Sequence, residues 1–433
     1  MRIRALVASV GLALPAVALA QTQFLLADRT LDSIWLVDDR NGNGVIDEPG
    51  EVSLWFSAAN AAGTIGLNNP SALASRSNTM RGHLAYVGDQ GLEKLFYLHD
   101  LNQDGDSLDI GESLVALETG NAAGIRLAFP TGIAIDGDDS IYVANAGNAL
   151  APDAVYHMKD LNGDGDFMDA GEVTLYVGEP VFGVGNGPYS PQELLIAGGD
   201  ANGPVCFLRN SSANLHGVFR FHDDNGNGRA DDPGEFTVFF DATNLSGVTV
   251  SAGFAVEPDP ARPGSIYYHQ LATGAVDQVY RLTDLNNDRD ANDAGEAVLV
   301  FSTAETGFSS IDVGTLPSGQ VLVTDNSGKR VIVLTDLDMD GLFNSAGERA
   351  TYFANSSLIV GDIRQVSALS RPCVGNCDRS GLVPILNVND FVCFLSNFAA
   401  GSMAANCDSS TTPPVLNVND FSCFLNAFAG GCG

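Results

Sequence analysis

Positive charge is what this 433-residue chain has least of: 21 lysines and arginines stand against 53 aspartates and glutamates, a formal net charge of −32. A chain so poor in cations lacks the electrostatic footprint for nucleic acid or an anionic membrane surface, and neither is expected as a partner. Long apolar runs are almost as scarce. The one present, residues 5–20, follows Arg2 and Arg4 and ends in Ala18-Leu19-Ala20. It is short for a membrane span and reads as a secretory signal over residues 1–20, so the mature chain is expected outside the cytoplasm with no membrane span. Cysteine is nearly missing from the first 372 residues, where Cys206 stands alone in an apolar run as a small buried hydrophobe. The other six, Cys373, Cys377, Cys393, Cys407, Cys423 and Cys432, fall in the last 61 residues. There they read as a disulfide framework for a small exported module. The six histidines share no metal-ligand spacing, and no G-x-S-x-G or Gly-rich phosphate loop occurs. The usual sequence marks of an enzyme are therefore lacking.

What is present is a repeat. An acidic loop of the form D-x-[ND]-x-[ND]-G-x5-G-E recurs at residues 39–51, 100–112, 160–172, 223–235, 284–296 and 336–348. Its closing glutamates are 61, 60, 63, 61 and 52 residues apart, and 28 of the 53 acids lie inside it. So regular a period marks a repeat architecture. Each loop joins two short runs rich in β-branched and aromatic residues, such as 154–158 and 173–177, which read as hairpin strands. Two further strands fit between hairpins, as at 130–136 and 140–145. Four antiparallel strands per repeat describe one blade, so the expected fold class is an all-β, six-bladed β-propeller over residues 21–372. The chain start supplies only three strands, and residues 363–368 are expected to return as the missing inner strand, closing the ring.

Hard oxygens in alternation, with glycine at the sixth position, suit calcium. The expected metal ligands are Asp39, Asn41, Asn43, Asp47 and Glu51 in the first loop; Asp100, Asn102, Asp104, Asp109 and Glu112 in the second; and Asp160, Asn162, Asp164, Asp169 and Glu172 in the third. The fourth offers Asp223, Asn225, Asn227, Asp232 and Glu235, the fifth Asp284, Asn286, Asp288, Asp293 and Glu296, and the sixth Asp336, Asp338, Asp340 and Glu348. Arg289 replaces the glycine of the fifth. Either the position-ten acid or the glutamate at thirteen closes each cage.

Residues 130–136 and 140–145 resemble the blade signature of NHL and SMP-30-type propellers, and the acidic loops resemble those of integrin-type blades. The SMP-30 resemblance implies metal-binding acids just before each inner strand. The aligned positions here are Ser71, Thr131, Gln192, Ala252, Ser309 and Arg364, none acidic; Glu193, Arg364 and Gln365 are expected to face the channel. After Pro372, residues 386–395 and 416–425 are near-duplicates. With Asn376-Cys377-Asp378 and Asn406-Cys407-Asp408 they resemble a cysteine-containing dockerin over residues 373–433, which implies a cohesin-like or cell-surface protein partner. Asp378, Asn387 and Asp390, or Asp408, Asn417 and Asp420, match the ligands of that motif. A pairing that respects the duplication joins Cys377 to Cys393, Cys407 to Cys423 and Cys373 to Cys432. Asn389 or Asp390 is expected to cap the first helix, with Phe391, Phe394, Leu395 and Phe398 on one face. The expected function is an exported calcium-binding scaffold attached through its tail, with a carbohydrate or small molecule as a channel ligand. The alternative is a propeller hydrolase, lactonase- or phosphatase-like, with its site at the central channel; three or more acids or histidines converging at the channel mouth would favour it, and a smooth polar channel would favour binding.

Overall fold

The computed structural model describes residues 23–369, apart from 64, 79–81, 137–138, 148–149, 179–189, 201, 212–215, 272–275, 306–309, 317 and 355–361, together with residues 388–399, Ala405, Cys407 and 416–430. The signal-like segment, Cys373, Cys377, Cys432 and the loops ahead of both helices lie outside the described residues.

Among the described residues, strong β-formers at alternating positions build 24 strands in six four-stranded antiparallel sheets. The first blade takes its inner strand, Ile363–Ala368, from the far end of the chain and pairs it with Gln23–Asp28, Phe24 lying opposite Ala368. The predicted closure is thus the observed one. Ser33–Asp38 and Val52–Ser57 complete that blade. The inner strands of the other five are Pro70–Asn78, Pro130–Ile135, Pro191–Asp200, Val256–Pro258 and Ser310–Thr315. Val256–Pro258 is the shortest of the inner strands described. Pro258 has no amide to give the ladder, and a Cβ on Gly253 would lie 2.1 Å from the His269 carbonyl oxygen.

Packing occurs between blades. Six clusters of buried side chains fill the six seams; one joins Phe24 and Leu26 to Leu322, Val331 and Tyr352 across the point of closure. Within every blade the third and fourth strands slip register at one place, between Ile34 and Trp35 in the first and Val331 and Ile332 in the last. Such bulges add twist and turn the outer strand toward its neighbour.

The acidic loops take part in the same seams. In each, the eighth residue donates its amide to the outer strand of the preceding blade. Ser107 donates to Trp55, Phe167 to Ala116, Ala230 to Tyr176, Ala291 to Phe239 and Phe343 to Val300, while Ile46 donates to Tyr352 and closes the ring. The six side chains at this position are buried. Phe343→Ala empties one seam and is expected to cost about 3–5 kcal/mol. Leu337→Ala, on a side chain 59% exposed, is expected to change stability by less than about 0.5 kcal/mol. Urea unfolding of both variants checks the contrast.

Two helices, Val388–Ala399 and Val418–Gly430, follow. They pack through Phe394 and Phe424, whose rings stack at 4.2 Å, with Phe391, Phe398, Phe421 and Phe428 around them. Leu395 does not join this core; it is 41% exposed, because the buried stripe follows 391, 394 and 398. Cys407 is bonded to Cys423, the internal pair expected from the duplication. The first helix starts at Val388, so Asn389 and Asp390 lie in its first turn and not at its cap; the second helix shows where the cap falls. The Asp420 carboxylate accepts the Asn417 amide at 2.8 Å, so Asn417 holds the cap and Asp420 completes a reciprocal box.

Candidate active site: acidic loops and the central channel

The six loops share one local design. The first carboxylate folds the loop over itself. Asp100 accepts the amides of Asp104 and Gly105 at 3.1 Å each, and Asp39, Asp160, Asp223, Asp284 and Asp336 each take the amide of their own sixth residue. That turn requires a left-handed residue at position six. Gly105 supplies it at φ 101°, and Arg289 is forced into the same region at φ 76°. The Arg289 side chain reaches Asp224 of the preceding blade at 2.9 Å.

The third and tenth side chains meet in the middle. Asn102 donates to Asp104 at 3.0 Å and to Asp109 at 2.7 Å; Asn162 meets Asp169, Asn225 meets Asp232 and Asn286 meets Asp293 in the same way. In the sixth loop, carboxylate oxygens of Asp336, Asp338 and Asp340 lie within 4.8 Å of one another. The closing glutamates have a different environment. Each is almost fully buried, and in five loops both oxygens accept backbone amides. Glu112 takes Leu101 and Asn102 on one oxygen and Asp109 on the other, and Glu172, Glu235, Glu296 and Glu348 repeat the pattern. Glu51 takes Asp47 and Glu48 on one oxygen. Positions three and ten therefore meet in the second to fifth loops, and position thirteen ties the loop shut from behind; in the first loop Asp47 stands at position nine and gives its amide to Glu51, and in the sixth position ten is Ser345, which donates to Asp338.

The inner and third strands of a blade run the same way, since both are antiparallel to the second. The acidic loops, which follow third strands, thus share a face with the C-terminal ends of the inner strands. A chamber of about 400 Å3 opens on that side of the channel, walled by Leu73, Ile133, Leu195 and Leu316 and by Glu193, Glu257 and Asp312. A smaller cavity of about 120 Å3 lies toward the opposite face. Glu193, Asp312 and Gln365 border both and form the waist between them.

Three consecutive blades, the fourth to the sixth, each put one acid on the channel. Glu193 and Asp312 are buried, and Glu193 accepts the Gln365 amide at 2.6 Å. Asp312 accepts the Val366 amide at 2.8 Å, and Glu257 accepts the Thr315 hydroxyl at 3.2 Å. Burial raises all three pKa values. Glu257 is pushed up to about 8, with Asp312 adding to the effect. Glu193 rises well above the usual range, through burial and then the charges of Asp312 and Glu257. Asp312 rises through burial, held back by its two backbone amides. All the charges that act on these carboxyls are of their own sign, so at neutral pH the group keeps protons.

Sequence reasoning placed Glu193, Arg364 and Gln365 on the channel and overlooked Glu257 and Asp312. The aligned positions Ser71, Thr131, Gln192 and Arg364 do line the channel, at its narrow mouth; Ser309 lies outside the described residues. The missed signal was an acid interrupting the apolar run of an inner strand, as in Ala255-Val256-Glu257 and Ile311-Asp312-Val313.

No protein-family model matches the chain, and no curated protein matches it. Solved structures do. A streptogramin B lyase is 10% identical, the match covering 79% of this chain and 86% of the lyase at a TM-score of 0.41. A gluconolactonase from Xanthomonas campestris is 13% identical, over 80% and 89%, at 0.41. The PQQ-bound aldose sugar dehydrogenase of Streptomyces coelicolor is 14% identical, over 70% and 85%, at 0.44. These are likenesses of fold.

Proposed function

We propose that this protein is an exported propeller hydrolase that opens small, uncharged esters or lactones in its central channel. The observation that carries the reading is the convergence of Glu193, Glu257 and Asp312 on one chamber, with carboxyl pKa values raised toward or past neutrality. Carboxyls split between ionised and protonated forms at working pH are what general acid–base catalysis needs. Asp312 accepts two backbone amides, so it ionises first and takes a proton from attacking water. Glu257 keeps its proton longer and delivers it to the leaving oxygen. Glu193, raised by burial and then by the charges of Asp312 and Glu257, stays neutral and donates a hydrogen bond to the carbonyl oxygen. The apolar wall of Leu73, Ile133, Leu195 and Leu316 favours a neutral substrate over a charged one. Phosphatase chemistry fits poorly, because the chamber offers a dianionic phosphate three acids. A panel of neutral lactones and aryl esters tests the reading in the full chain: turnover is expected on at least one. No turnover on any, with saturable binding of uncharged sugars instead, would return the protein to a binding role.

A second reading of the same carboxyls is supported by the oxygen of Gln365, buried at the waist without a hydrogen-bond partner among the described residues. Glu193, Asp312 and that oxygen are hard donors that would hold a divalent cation, which would polarise the carbonyl in place of the neutral acid.

The acidic loops are proposed as calcium cages formed by positions one, three, five and ten, for example Asp100, Asn102, Asp104 and Asp109, with the glutamate at thirteen as a fastener. The convergence of the third and tenth side chains supports this assignment. The tail helices are proposed to attach the protein to a cohesin-like or cell-surface partner. Equivalent side chains of the two copies, Val388 and Val418, are each 71% exposed and available to it.

A further inference from the structure

The narrow mouth of the channel is built unlike the rest of the molecule. It lies opposite the face that carries the six acidic loops and 28 of the 53 acids. Its rim holds two arginines, Arg29 and Arg364, with the polar side chains of Ser71, Gln90, Thr131 and Gln192 and the ring of Phe254. Arg364 is accounted for: it pairs with Asp362 at 3.0 Å and lies over Phe254 at 5.7 Å. The Arg29 guanidinium is not. Only its backbone amide is engaged, by the Asp362 carbonyl at 2.9 Å, and its side chain makes no hydrogen bond or salt bridge to a described residue. Arg29 is partly buried, and the charge that most opposes it is Arg364. Asp362, which pairs with Arg364, offsets part of that charge for Arg29 without a side-chain hydrogen bond to it, so the Arg29 fork is left open to an anion.

We propose that this mouth is a binding site for a small carboxylate, held between the Arg29 and Arg364 guanidinium groups. A planar two-oxygen anion matches the donor fork of arginine. A cavity of about 120 Å3 admits a compact group and no large one. Its floor is formed by Glu193, which keeps its proton, and Asp312, which ionises first and opposes a dianion such as phosphate more than a singly charged carboxylate. Approach from this side also avoids the acidic-loop face, where an anion meets the field of the loops. The site stands on the mouth alone and holds whether or not the chamber beyond it hydrolyses anything.

The test is calorimetric titration of the full chain with acetate at constant ionic strength, chloride serving as the control anion. Wild type is expected to bind one equivalent saturably. Arg29→Gln is expected to weaken binding at least tenfold, while Arg330→Gln, on an ion pair with Asp325 outside the lining of the mouth, leaves it unchanged. No saturable acetate binding, chloride binding as well as acetate, or phosphate binding more tightly than acetate would each overturn the proposal. So would an unaltered acetate affinity in folded Arg29→Gln. Should that variant fail to fold, Arg29→Lys keeps the charge and loses the fork; a severalfold weakening supports the site, and wild-type affinity in it sinks the idea.

Discussion

Removing calcium with excess chelator is expected to lower the melting temperature by about 10 °C or more, since each occupied site contributes about 2.7 kcal/mol at a hundredfold excess over its Kd. The size of the effect follows from where the loops sit. In the sixth, Asp336, Asp338 and Asp340 bring carboxylate oxygens within 4.8 Å of one another, where they repel without a cation. Each loop also docks its eighth residue onto the preceding blade, from Ser107 on Trp55 round to Ile46 on Tyr352. Loosening a loop therefore loosens a seam, and the seam closed by Ile46 is the one that joins the two ends of the propeller. The fifth loop is expected to contribute least, because Arg289 holds a left-handed turn that glycine would take without strain. Readdition of calcium should restore the melting temperature. A melting temperature indifferent to chelator, or equal rescue by magnesium, would remove the cages from the account.

The propeller was legible because its evidence is periodic. Loop spacing, strand-like runs on either side and the spare strand at residues 363–368 each pointed to six blades, and hydrogen-bonding geometry left the closure one arrangement. The alternation of hard-oxygen side chains in the loops was visible for the same reason. What was not legible is the part played by the closing glutamates. Spacing alone cannot say whether a carboxylate turns to a cation or to backbone amides, and Glu112 turns to Leu101, Asn102 and Asp109. The channel acids were half visible. Glu193 is next to an aligned position, whereas Glu257 and Asp312 sit inside strands and converge only when the ring closes. Leu395 shows the limit in the tail: a helical pattern tolerates one extra position on a face, and packing of Phe394 on Phe424 decides which is left out.

Asp312→Asn and Glu257→Gln are each expected to lower hydrolysis of a turned-over lactone or ester by about 10²–10⁴-fold, the usual worth of a positioned acid or base. Substitution by the amide keeps shape and removes only the proton traffic, so binding of the substrate should change far less than turnover. Stability should move the other way, and the sign is fixed by linkage. The unfolded chain releases the Glu257 proton near 4.5, whereas the folded channel holds it up to about 8. The folded form therefore binds more protons between those values. The contribution of Glu257 to stability is complete below about pH 4.5 and declines as pH rises toward 8, by at most about 1.4 kcal/mol per pH unit. Glu257→Gln removes that decline. Relative to wild type the variant is expected to gain stability from pH 5 to pH 9, read as the difference in urea midpoint so that the acidic loops cancel. A variant with full turnover would take Glu257 out of the chemistry, and parallel pH curves for the two proteins would show that the channel does not hold its proton at all. The pairing of the two readouts matters because a merely structural carboxylate moves stability without a matching loss of rate, and a merely exposed one moves neither.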